Sequence, residues 1–461
     1  MNGEIPKEFS ERVDSQRYID KESLLSALSL NPEVSIRINT AKWVSTPKDR
    51  DRVPWCDTGY YLGRRPQFTL DPLLHAGCYY VQEASSMFLE QAVKQTGADR
   101  DGLRILDLCA APGGKTTHLS SLAGKGTVVV ANEVVRARAS ILAENVVKWG
   151  SGNTIVTSSD PEAFGRLGGY FDLIVVDAPC SGEGMFRELN VRDEWSVDNC
   201  SLCSGRQWRI IADVWPSLKE GGHLIYSTCT FNPDENEKQI QRLLSQFACS
   251  SVPLKCSSFP GITPVPTKKE ALGYGFHPGK VRGEGFFLAV VRKEEAAGPI
   301  TGSRQAASRA GRIQAEMIRG VREFATVKEE FIDDFSGTAI ALPMPRTEFH
   351  ALASSLKIVK AGTALFTLKQ GSAIPAHDMA VSLLFKRGSL PEVSVGYDEA
   401  IRFLRNESDI GVRFSEKGWI TVVYRDVPLG FVKNIGQRIN NYYPSEWRIR
   451  MGGTSSPDSV I

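Results

Sequence analysis

Six short apolar segments, alternating at first with helical patterns, constrain the fold of this chain more than any other feature. Each is typical of a buried strand, and 136–150, between two of them, has apolar residues at helical spacing. The segments are 104–108, 127–133, 153–160, 171–179, 222–229 and 285–293. This alternation predicts βαβ crossovers and a parallel sheet with both faces covered, hence an α/β fold.

The length and composition restrict the class of protein. A chain of 461 residues is too long for one hydrophobic core, so we expect two to four domains. It has no long apolar run and no basic-then-apolar N-terminus, which predicts a cytoplasmic protein without a membrane span. Its nine cysteines, an odd number, favour reduced thiols over a disulfide framework.

The pattern along the chain predicts four regions. Residues 1–72, with a helix at 22–30 and a strand at 34–40, are expected to form a small N-terminal α+β module. The alternating region, 73–295, is expected to form the domain that contains the cofactor-binding and catalytic residues. Next come a linker and basic α+β region at 296–380, with linker composition over 293–308 and a basic helix at 311–324, and a C-terminal domain at 381–461.

The stretch ILDLCAAPGGKTTHL, residues 105–119, imitates a phosphate-binding loop. That pattern requires glycine where Cys109 stands, and Asp107 at the strand end would repel a polyphosphate. An ATPase is therefore the last-ranked of the functions considered.

Four acids at successive strand ends indicate a different ligand. They are Asp107, Glu133, Asp160 and Asp177, and in a doubly wound sheet they would face one crevice. A ligand with a cationic centre and a free ribose suits such a crevice, so we predict S-adenosylmethionine. Glu133 would accept the ribose hydroxyls and Asp160 the base amine. Alternatively, strand-end acids cap the helices that follow them.

The loop before the predicted helix fits the same ligand. Gly113 and Gly114 would let the backbone approach its amino-acid end, and the dipole of a helix that begins near Lys115 would favour its carboxylate.

Two cysteines, Cys180 and Cys229, follow two of the predicted strands. If those strands are neighbours, both thiols lie over the crevice, and two thiols beside a methyl donor indicate carbon methylation. C5 of a pyrimidine is a poor nucleophile until a group such as a thiolate adds to C6. Alternatively, either cysteine alone is a small buried apolar residue.

The segment after Cys229 predicts a helix start. Asn232 would be its N-cap and Pro233 its first residue, so that the helix N-terminus stabilises a thiolate. Asp234 and Glu235 would complement the helix dipole only.

Cys200 and Cys203 form a lone C-x-x-C pair. A structural zinc site needs four ligands, and no second pair accompanies these two, so we predict packing at a helix start and no metal.

The motifs DLCAAPGGKT, ANE, DAPCSGEGMFR and YSTCTFNPDENE, in this order, resemble those of the Nol-Nop-Sun family of RNA cytosine-C5 methyltransferases, and PCSGEGMF is similar to its bacterial RsmF-like ribosomal RNA branch. The resemblance implies a Rossmann-like class I methyltransferase core and an N-terminal module, residues 1–72, that binds RNA. It further implies that Cys229 adds to C6, that Cys180 helps release the product, that Asp177 binds the cytosine edge, and that Lys115 lies at the reacting centre. The residues it implies for the cofactor are Cys109, Ala110, Ala111, Pro112, Gly113, Gly114, Lys115, Glu133, Arg138, Asp160 and Asp177.

The segment 430–450 interleaves cations with aromatic side chains, as single-stranded RNA sites do. An ordinary β-rich core with a solvated basic edge explains it equally well, but C-terminal modules of the branch are similar to PUA-type domains, which favours RNA. The RNA-binding residues predicted are Lys433, Arg438, Tyr442, Tyr443, Trp447 and Arg448. Further positive charge comes from Arg304, Arg309, Arg312, Arg319 and Arg322, for which a solvated helix face is the simpler explanation.

Two other functions compete with RNA cytosine-C5 methylation. An amino-group methyltransferase would have an aromatic residue where DAPC has its cysteine, and an idle RNA-binding assembly factor would not need both cysteines and all four acids. The expected substrate is ribosomal RNA, most simply of the small subunit, or a ribosomal particle, and the expected state is a monomer.

Overall fold

The computed structural model describes residues 5–45, 47, 49–267, 272–296, 315–369, 372–453 and 460–461. Its first unit contains α1 Lys7–Ser15, α2 Lys21–Leu28, β1 Val34–Ile38, β2 Gly59–Leu62, α3 Pro72–His75 and β3 Tyr79–Val81. The three strands form an antiparallel sheet in the order β2-β1-β3. Because β3 belongs to this sheet, the N-terminal unit extends beyond the predicted boundary at residue 72.

The central unit is an α/β structure, as predicted. It contains α4 Leu89–Thr96, β4 Arg104–Asp107, α5 Gly114–Leu122, β5 Val128–Asn132, α6 Arg136–Trp149, β6 Thr154–Thr157, α7 Pro161–Gly165, β7 Phe171–Asp177, α8 Leu189–Glu194, α9 Val197–Val214, β8 Leu218–Thr228, α10 Glu237–Gln246, β9 Cys249–Ser251, β10 Thr263–Pro266, β11 Leu272–Phe276 and β12 Phe286–Lys293. Strands β6-β5-β4-β7-β8 pair in parallel, and β12 joins β8 antiparallel. All six predicted strands are present within a few residues of their expected bounds.

The order in which the chain adds strands to the sheet reverses between β4 and β7. From β4 the chain adds β5 and β6 on one side, and then it returns to add β7 and β8 on the other side. The carboxyl ends of β4 and β7 therefore flank a topological switch point, where α/β sheets place their ligands.

The C-terminal half contains two further four-stranded sheets, ordered β13-β14-β16-β17 and β18-β19-β20-β21. Its elements are α11 Ala315–Phe324, β13 Ile332–Phe335, β14 Thr338–Ala341, α12 Arg346–Ala353, β15 Ile358–Ala361, β16 Thr363–Lys369, β17 Ser372–Pro375, α13 His377–Val381, β18 Glu392–Ser394, α14 Tyr397–Leu404, β19 Gly418–Tyr424, β20 Val427–Asn434 and β21 Ile439–Asn441. Most of the predicted linker, 297–308, lies outside the described residues, as do Arg304, Arg309 and Arg312. The described part of the predicted basic helix is α11, where Arg319 and Arg322 are exposed.

The central sheet is wider than the sequence pattern predicts. Strands β9, β10 and β11 extend it beyond or beside β12, and β15 pairs antiparallel with β6 at the other edge. Strands β10 and β11 contain prolines and glycines, such as Pro264, Pro266 and Gly273, which are uncommon within strands. Proline is tolerated in an edge strand, and β10 is such a strand.

The region after 296 is partly built into the central unit. Glu348 of α12 forms a two-point ion pair with Arg104 at the start of β4, with N–O distances of 2.6 and 2.8 Å. Leu342 and Phe349 pack in the same core as Leu106 of β4. Strand β15 is therefore an edge strand of the central sheet, and helix α12 packs against that sheet.

The two ends of the chain also share a core. Ile36 and Ile38 of β1 belong to one apolar cluster with Ile401 of α14 and Val432 of β20. The N-terminal sheet is in turn tied to α5, since the buried Arg37 donates to Thr117 Oγ1 at 2.6 Å. In the described part of the chain, no helix is both long and apolar enough to cross a membrane.

Candidate active site

A loop of small residues leads from β4 into α5 at the switch point. Gly113 has a φ of +119°, which a glycine adopts without strain, and α5 begins at the next residue, as predicted. Helix α6 holds the loop from behind, since Arg138 donates to the carbonyl of Ala111 at 3.0 Å and Asn145 donates to that of Pro112 at 2.8 Å. The loop backbone is thereby fixed beside the ends of β4 and β7.

Asp107, the last residue of β4, is a buried acid with spare acceptor capacity. Thr116 donates to its Oδ2 at 2.6 Å, whereas its Oδ1 is buried without a hydrogen-bond partner. Burial, together with the nearby charges of Asp177 and Glu133, raises the pKa of Asp107 to about 7. An unpaired acceptor among acids suits a cationic ligand and disfavours a phosphate.

Two of the three other strand-end acids, Glu133 and Asp160, differ in their surroundings. Glu133, only 4% exposed, accepts from the backbone N–H of Val135 at 2.9 Å and lies 3.3 Å from Arg138. Asp160 is exposed and accepts from the backbone N–H of Glu162 at the start of α7, which is a helix cap. The capping alternative therefore describes the contacts of Asp160, and its contact with a cofactor stays a prediction.

Lys115 and Asp177 form an ion pair at the centre of the crevice. Their Nζ and Oδ2 atoms are 2.8 Å apart, and Ser227 donates to Oδ1 of Asp177 at 2.8 Å. Burial opposes the charge on Lys115, but Asp177 outweighs it and the pKa of Lys115 rises. Lys115, in the first turn of α5, is thus held as a cation beside the end of β7.

The two cysteines meet over the same crevice. Strands β7 and β8 are neighbours, and the Sγ atoms of Cys180 and Cys229 are 3.2 Å apart. The hydrogen bond with Cys229 and burial raise the pKa of Cys180 well above its ordinary value. Both thiols line a cleft of about 350 Å³ together with Cys109, Ala111, Arg138 and Asp177. The expectation that the thiols share one crevice is therefore confirmed.

The helix expected directly after Cys229 begins later in the chain. Residues 233–236 form turns, and α10 starts at Glu237 with Asn236, not Asn232, as its N-cap. The side chain of Asn232 instead accepts from the backbone N–H of Asp234 at 3.0 Å. A helix N-terminus therefore does not lie next to Cys229, and Lys115, paired with Asp177, is a cation at the same crevice.

Glu235 was expected to complement a helix dipole, and this interpretation is wrong. Its side chain is fully buried and accepts hydrogen bonds from Ser181 and Gln207. The acid-rich run DENE, residues 234–237, drew attention to this segment, but the sequence alone does not distinguish the buried Glu235 from the exposed Asp234. The cleft residues Met185, Val191, Glu194 and Asn199 were missed as well.

Cys200 and Cys203 lie in the first two turns of α9, and both are buried. Their Sγ atoms contact Glu183 and Asn199 at 3.7 and 3.9 Å. These contacts agree with the expectation that the pair packs at a helix start.

The residues of 430–450 do not share one surface. Tyr443 is 2% exposed, and its hydroxyl lies 3.3 Å from Nδ1 of His75, so it is a core residue that cannot stack on a base. Tyr442 packs on Trp419 with ring centroids 4.4 Å apart, and Trp447 packs on His377 at 5.4 Å. Arg438 and Arg448 are exposed. For the aromatic residues, the alternative of a β-rich core with a basic edge is the better description.

Three family models match this chain, in the order of its units. They describe the N-terminal domain of 16S rRNA methyltransferase RsmF, at residues 5–84, the 16S rRNA methyltransferase RsmB/F, at 95–292, and the methyltransferase RsmF PUA domain, at 391–449. The C-terminal domain is therefore PUA-like, as the resemblance implied.

Curated relatives and a solved structure agree with these models. Ribosomal RNA small subunit methyltransferase F of Enterobacter sp. (strain 638) is 30% identical over 89% of both chains. The protein of the same name from Aeromonas hydrophila is 31% identical over 89% of this chain and 90% of its own. A methyltransferase homolog protein from Pyrococcus horikoshii is 30% identical, with a TM-score of 0.52 over 62% of this chain and 95% of its own.

These matches extend over all three units and agree with the acidic crevice at the switch point. The chain therefore belongs to the family of the ribosomal RNA small subunit methyltransferases F, and it is a methyltransferase whose cofactor is S-adenosylmethionine.

Proposed function

We propose that this enzyme methylates C5 of a cytosine in small-subunit ribosomal RNA through a covalent adduct between Cys229 and C6 of the base. The observation that carries the proposal is the pair of thiols 3.2 Å apart, beside the ion pair of Lys115 and Asp177 in the cofactor crevice. Methylation of an exocyclic amine needs no thiol, whereas C5 needs a group that adds to C6.

Cys229 is the attacking sulfur. A thiolate is the reactive form of cysteine, and Lys115, held as a cation by Asp177, interacts with Cys229. Attack forms the S–C6 bond and makes the electron pair of the C5–C6 double bond available at C5. S-adenosylmethionine, a cationic methyl donor, would supply the methyl group: the C5–CH₃ bond forms as the S–CH₃ bond breaks, and the donor leaves as a neutral thioether. Loss of the C5 proton and cleavage of the S–C6 bond then restore the double bond and free Cys229.

Cys180 acts on the release step. The hydrogen bond with Cys229 and burial raise the pKa of Cys180, which favours the protonated thiol at this position. Its Sγ is 3.2 Å from the sulfur that must leave C6, and this proximity supports a role in resolution of the adduct.

Asp177 orients the base. Ser227 and Lys115 each hold one of its carboxylate oxygens, so the carboxylate is fixed at the end of β7. In this position it can accept a hydrogen bond from the amino edge of cytosine, which selects cytosine over uracil.

The loop 109–115 holds the amino-acid end of the cofactor, and Asp107 offers its unpaired Oδ1 to a donor. Glu133 and Asp160 are assigned to the ribose and the base, with Arg138 beside Glu133. The exposed Arg438 and Arg448 and the half-buried Lys433 are assigned to RNA phosphates.

A trapping assay tests the proposal. Wild type, Cys180→Ser and Cys229→Ser are each mixed with ribosomal RNA and S-adenosylmethionine, then run on a denaturing gel, and the RNA is digested to score 5-methylcytidine. Cys256→Ser, a substitution in the loop between β9 and β10, is the matched control and is expected to behave as wild type.

We expect Cys180→Ser to accumulate an RNA adduct and Cys229→Ser neither to trap nor to methylate. Trapping by Cys229→Ser would reverse the two roles. Methylation that persists in both variants without an adduct would show that the covalent mechanism is wrong, and a methylated base other than 5-methylcytidine would show that the assigned atom is wrong.

A further inference from the structure

The fully buried carboxylate of Glu235 is fixed to the loop that carries Cys180. Its Oε2 accepts from the backbone N–H of Ser181 at 2.9 Å, and its Oε1 accepts from the Ser181 hydroxyl at 2.6 Å. Gln207 donates to Oε2 at 3.0 Å and to the carbonyl of Pro179 at 3.0 Å. One acid thus restrains the backbone on both sides of Cys180.

The same network reaches the loop that carries Cys229. The hydroxyls of Ser181 and Thr230 are 2.9 Å apart, and these residues directly follow Cys180 and Cys229. On the far side, Tyr226 of β8 donates to the backbone carbonyl of Glu235 at 2.6 Å. The two cysteine loops are therefore cross-linked by hydrogen bonds one residue beyond each thiol.

This arrangement is costly for the fold, which argues for a specific use. The three donors to Glu235 are uncharged groups, and burial raises the pKa of Glu235 to about 7. An apolar side chain would fill the space without that cost, but it could not hold two loops in one register.

We propose that Glu235 is a positioning residue, which holds the Cys180 loop against the Cys229 loop so that the two sulfurs stay in contact. The inference rests on the proposed function for its catalytic consequence. Because the direct contacts of Glu235 are with the Cys180 loop, its loss slows release of the adduct more than formation of the adduct.

Three variants separate geometry from charge. Glu235→Ala removes the network, and Ser181→Ala removes only the hydroxyl that joins the loops. Glu235→Gln can keep the network, because its amide oxygen can accept from Ser181 N–H and Gln207 while its NH₂ group donates to the Ser181 hydroxyl. The control is Asp234→Asn, which changes the neighbouring exposed acid whose ion-pair partner is Lys238.

The first readout does not depend on methylation. Diamide oxidises two adjacent thiols to a disulfide and is itself reduced to the hydrazine, and peptide mapping by mass spectrometry follows the Cys180–Cys229 product. We expect wild type, Glu235→Gln and Asp234→Asn to form it at similar rates. Glu235→Ala is expected to be slower by about tenfold to a hundredfold, the usual effect of a displacement near 1 Å. Ser181→Ala is expected to be intermediate.

The second readout is the RNA adduct on a denaturing gel. We expect Glu235→Ala and Ser181→Ala to accumulate adduct at the expense of product, which a merely unstable protein would not do, and thermal melting identifies any variant that is unfolded. If folded Glu235→Ala forms the disulfide as fast as wild type, the positioning role is wrong, and if Glu235→Ala is unfolded, Ser181→Ala decides by the same criterion. If the disulfide results hold but Cys180→Ser traps no RNA, the positioning role stands and the proposed function fails.

Discussion

The cysteine crevice and the C-terminal segment 430–450 both carry side chains typical of proteins that act on RNA, but these side chains lie together in the crevice and apart in the segment. In the crevice, residues distant in sequence converge, with Cys180 and Cys229 in contact at 3.2 Å and Lys115 paired with Asp177 at 2.8 Å. In the C-terminal segment, residues close in sequence separate, and Tyr443 is buried while Arg438 is exposed.

The difference lies in what strand topology fixes. The carboxyl ends of parallel strands meet at one edge of a sheet, so residues that follow such strands are brought together whatever separates them in sequence. Antiparallel strands alternate their side chains between two faces, and the partner of each face comes from elsewhere in the chain. Tyr443 packs near His75 of the N-terminal unit, a contact that local spacing does not reveal.

The largest effect that tests this comparison concerns stability. Tyr443→Ala is expected to lower the free energy of unfolding by about 3–5 kcal/mol, because a large buried ring is lost from the core shared by both ends of the chain. Tyr442→Ala, the control, should cost about 1 kcal/mol, since its half-buried ring contacts Trp419. Urea denaturation measures both. Unchanged stability of Tyr443→Ala combined with weaker RNA binding would instead make Tyr443 a base-stacking residue.

The sequence predicts the central fold well because its evidence is local and repeated. Each of the six strands has its own apolar run, and the helix between β5 and β6 has its own periodicity. The positions of Asp107, Asp177, Cys180 and Cys229 follow from those strands. Local patterns did not predict the edge strands. Strand β15 pairs with β6 although about two hundred residues separate them along the chain, and no βαβ pattern precedes β15.

The site was less completely predictable than the sheet. Glu235 and Asp234 are adjacent acids, and only tertiary packing buries the first against Ser181 and leaves the second paired with Lys238 in solvent. The helix start was misplaced for a similar reason. Asn232 and Pro233 satisfy the local rules for capping, but the helix starts later, with Asn236 as its N-cap. The Thr228 hydroxyl donates to the side-chain oxygen of Asn236, and the Asn236 amide donates to the backbone carbonyl of Thr230.

A smaller effect, on cofactor affinity, tests whether Asp107 belongs to the chemistry of the crevice. The pKa of Asp107 is raised from 3.8 to about 7, so this acid holds a proton below pH 7 in the folded protein. The stability that the proton contributes is fully present below the ordinary pKa and is lost as the pH rises from there to about 7. A cationic cofactor prefers the carboxylate, and the affinity for S-adenosylmethionine should therefore weaken about tenfold from pH 8 to pH 6.

Calorimetry over this pH range measures the effect. Asp107→Asn should abolish the pH dependence, and the control Asp172→Asn, which changes an acid of β7 paired with Lys219 away from the cleft, should keep it. Retention of the full dependence in Asp107→Asn would assign it to another group.

The smallest effect concerns the exposed arginines of the C-terminal segment, Arg438 and Arg448. If Arg438 contacts a phosphate, Arg438→Ala should weaken rRNA binding by a similar factor for all sequences and reduce the slope of log affinity against log salt by about 1. Arg448→Ala should act alike. Arg100→Ala, an exposed arginine before β4 at the end of the sheet opposite the cleft, is the control and should leave the slope unchanged. Filter binding from low to moderate salt measures these slopes. Equal slopes for Arg438→Ala, Arg448→Ala and wild type would mean that this edge is a solvated surface, and the comparison between crevice and C-terminal segment would then extend from the aromatic residues to the cations.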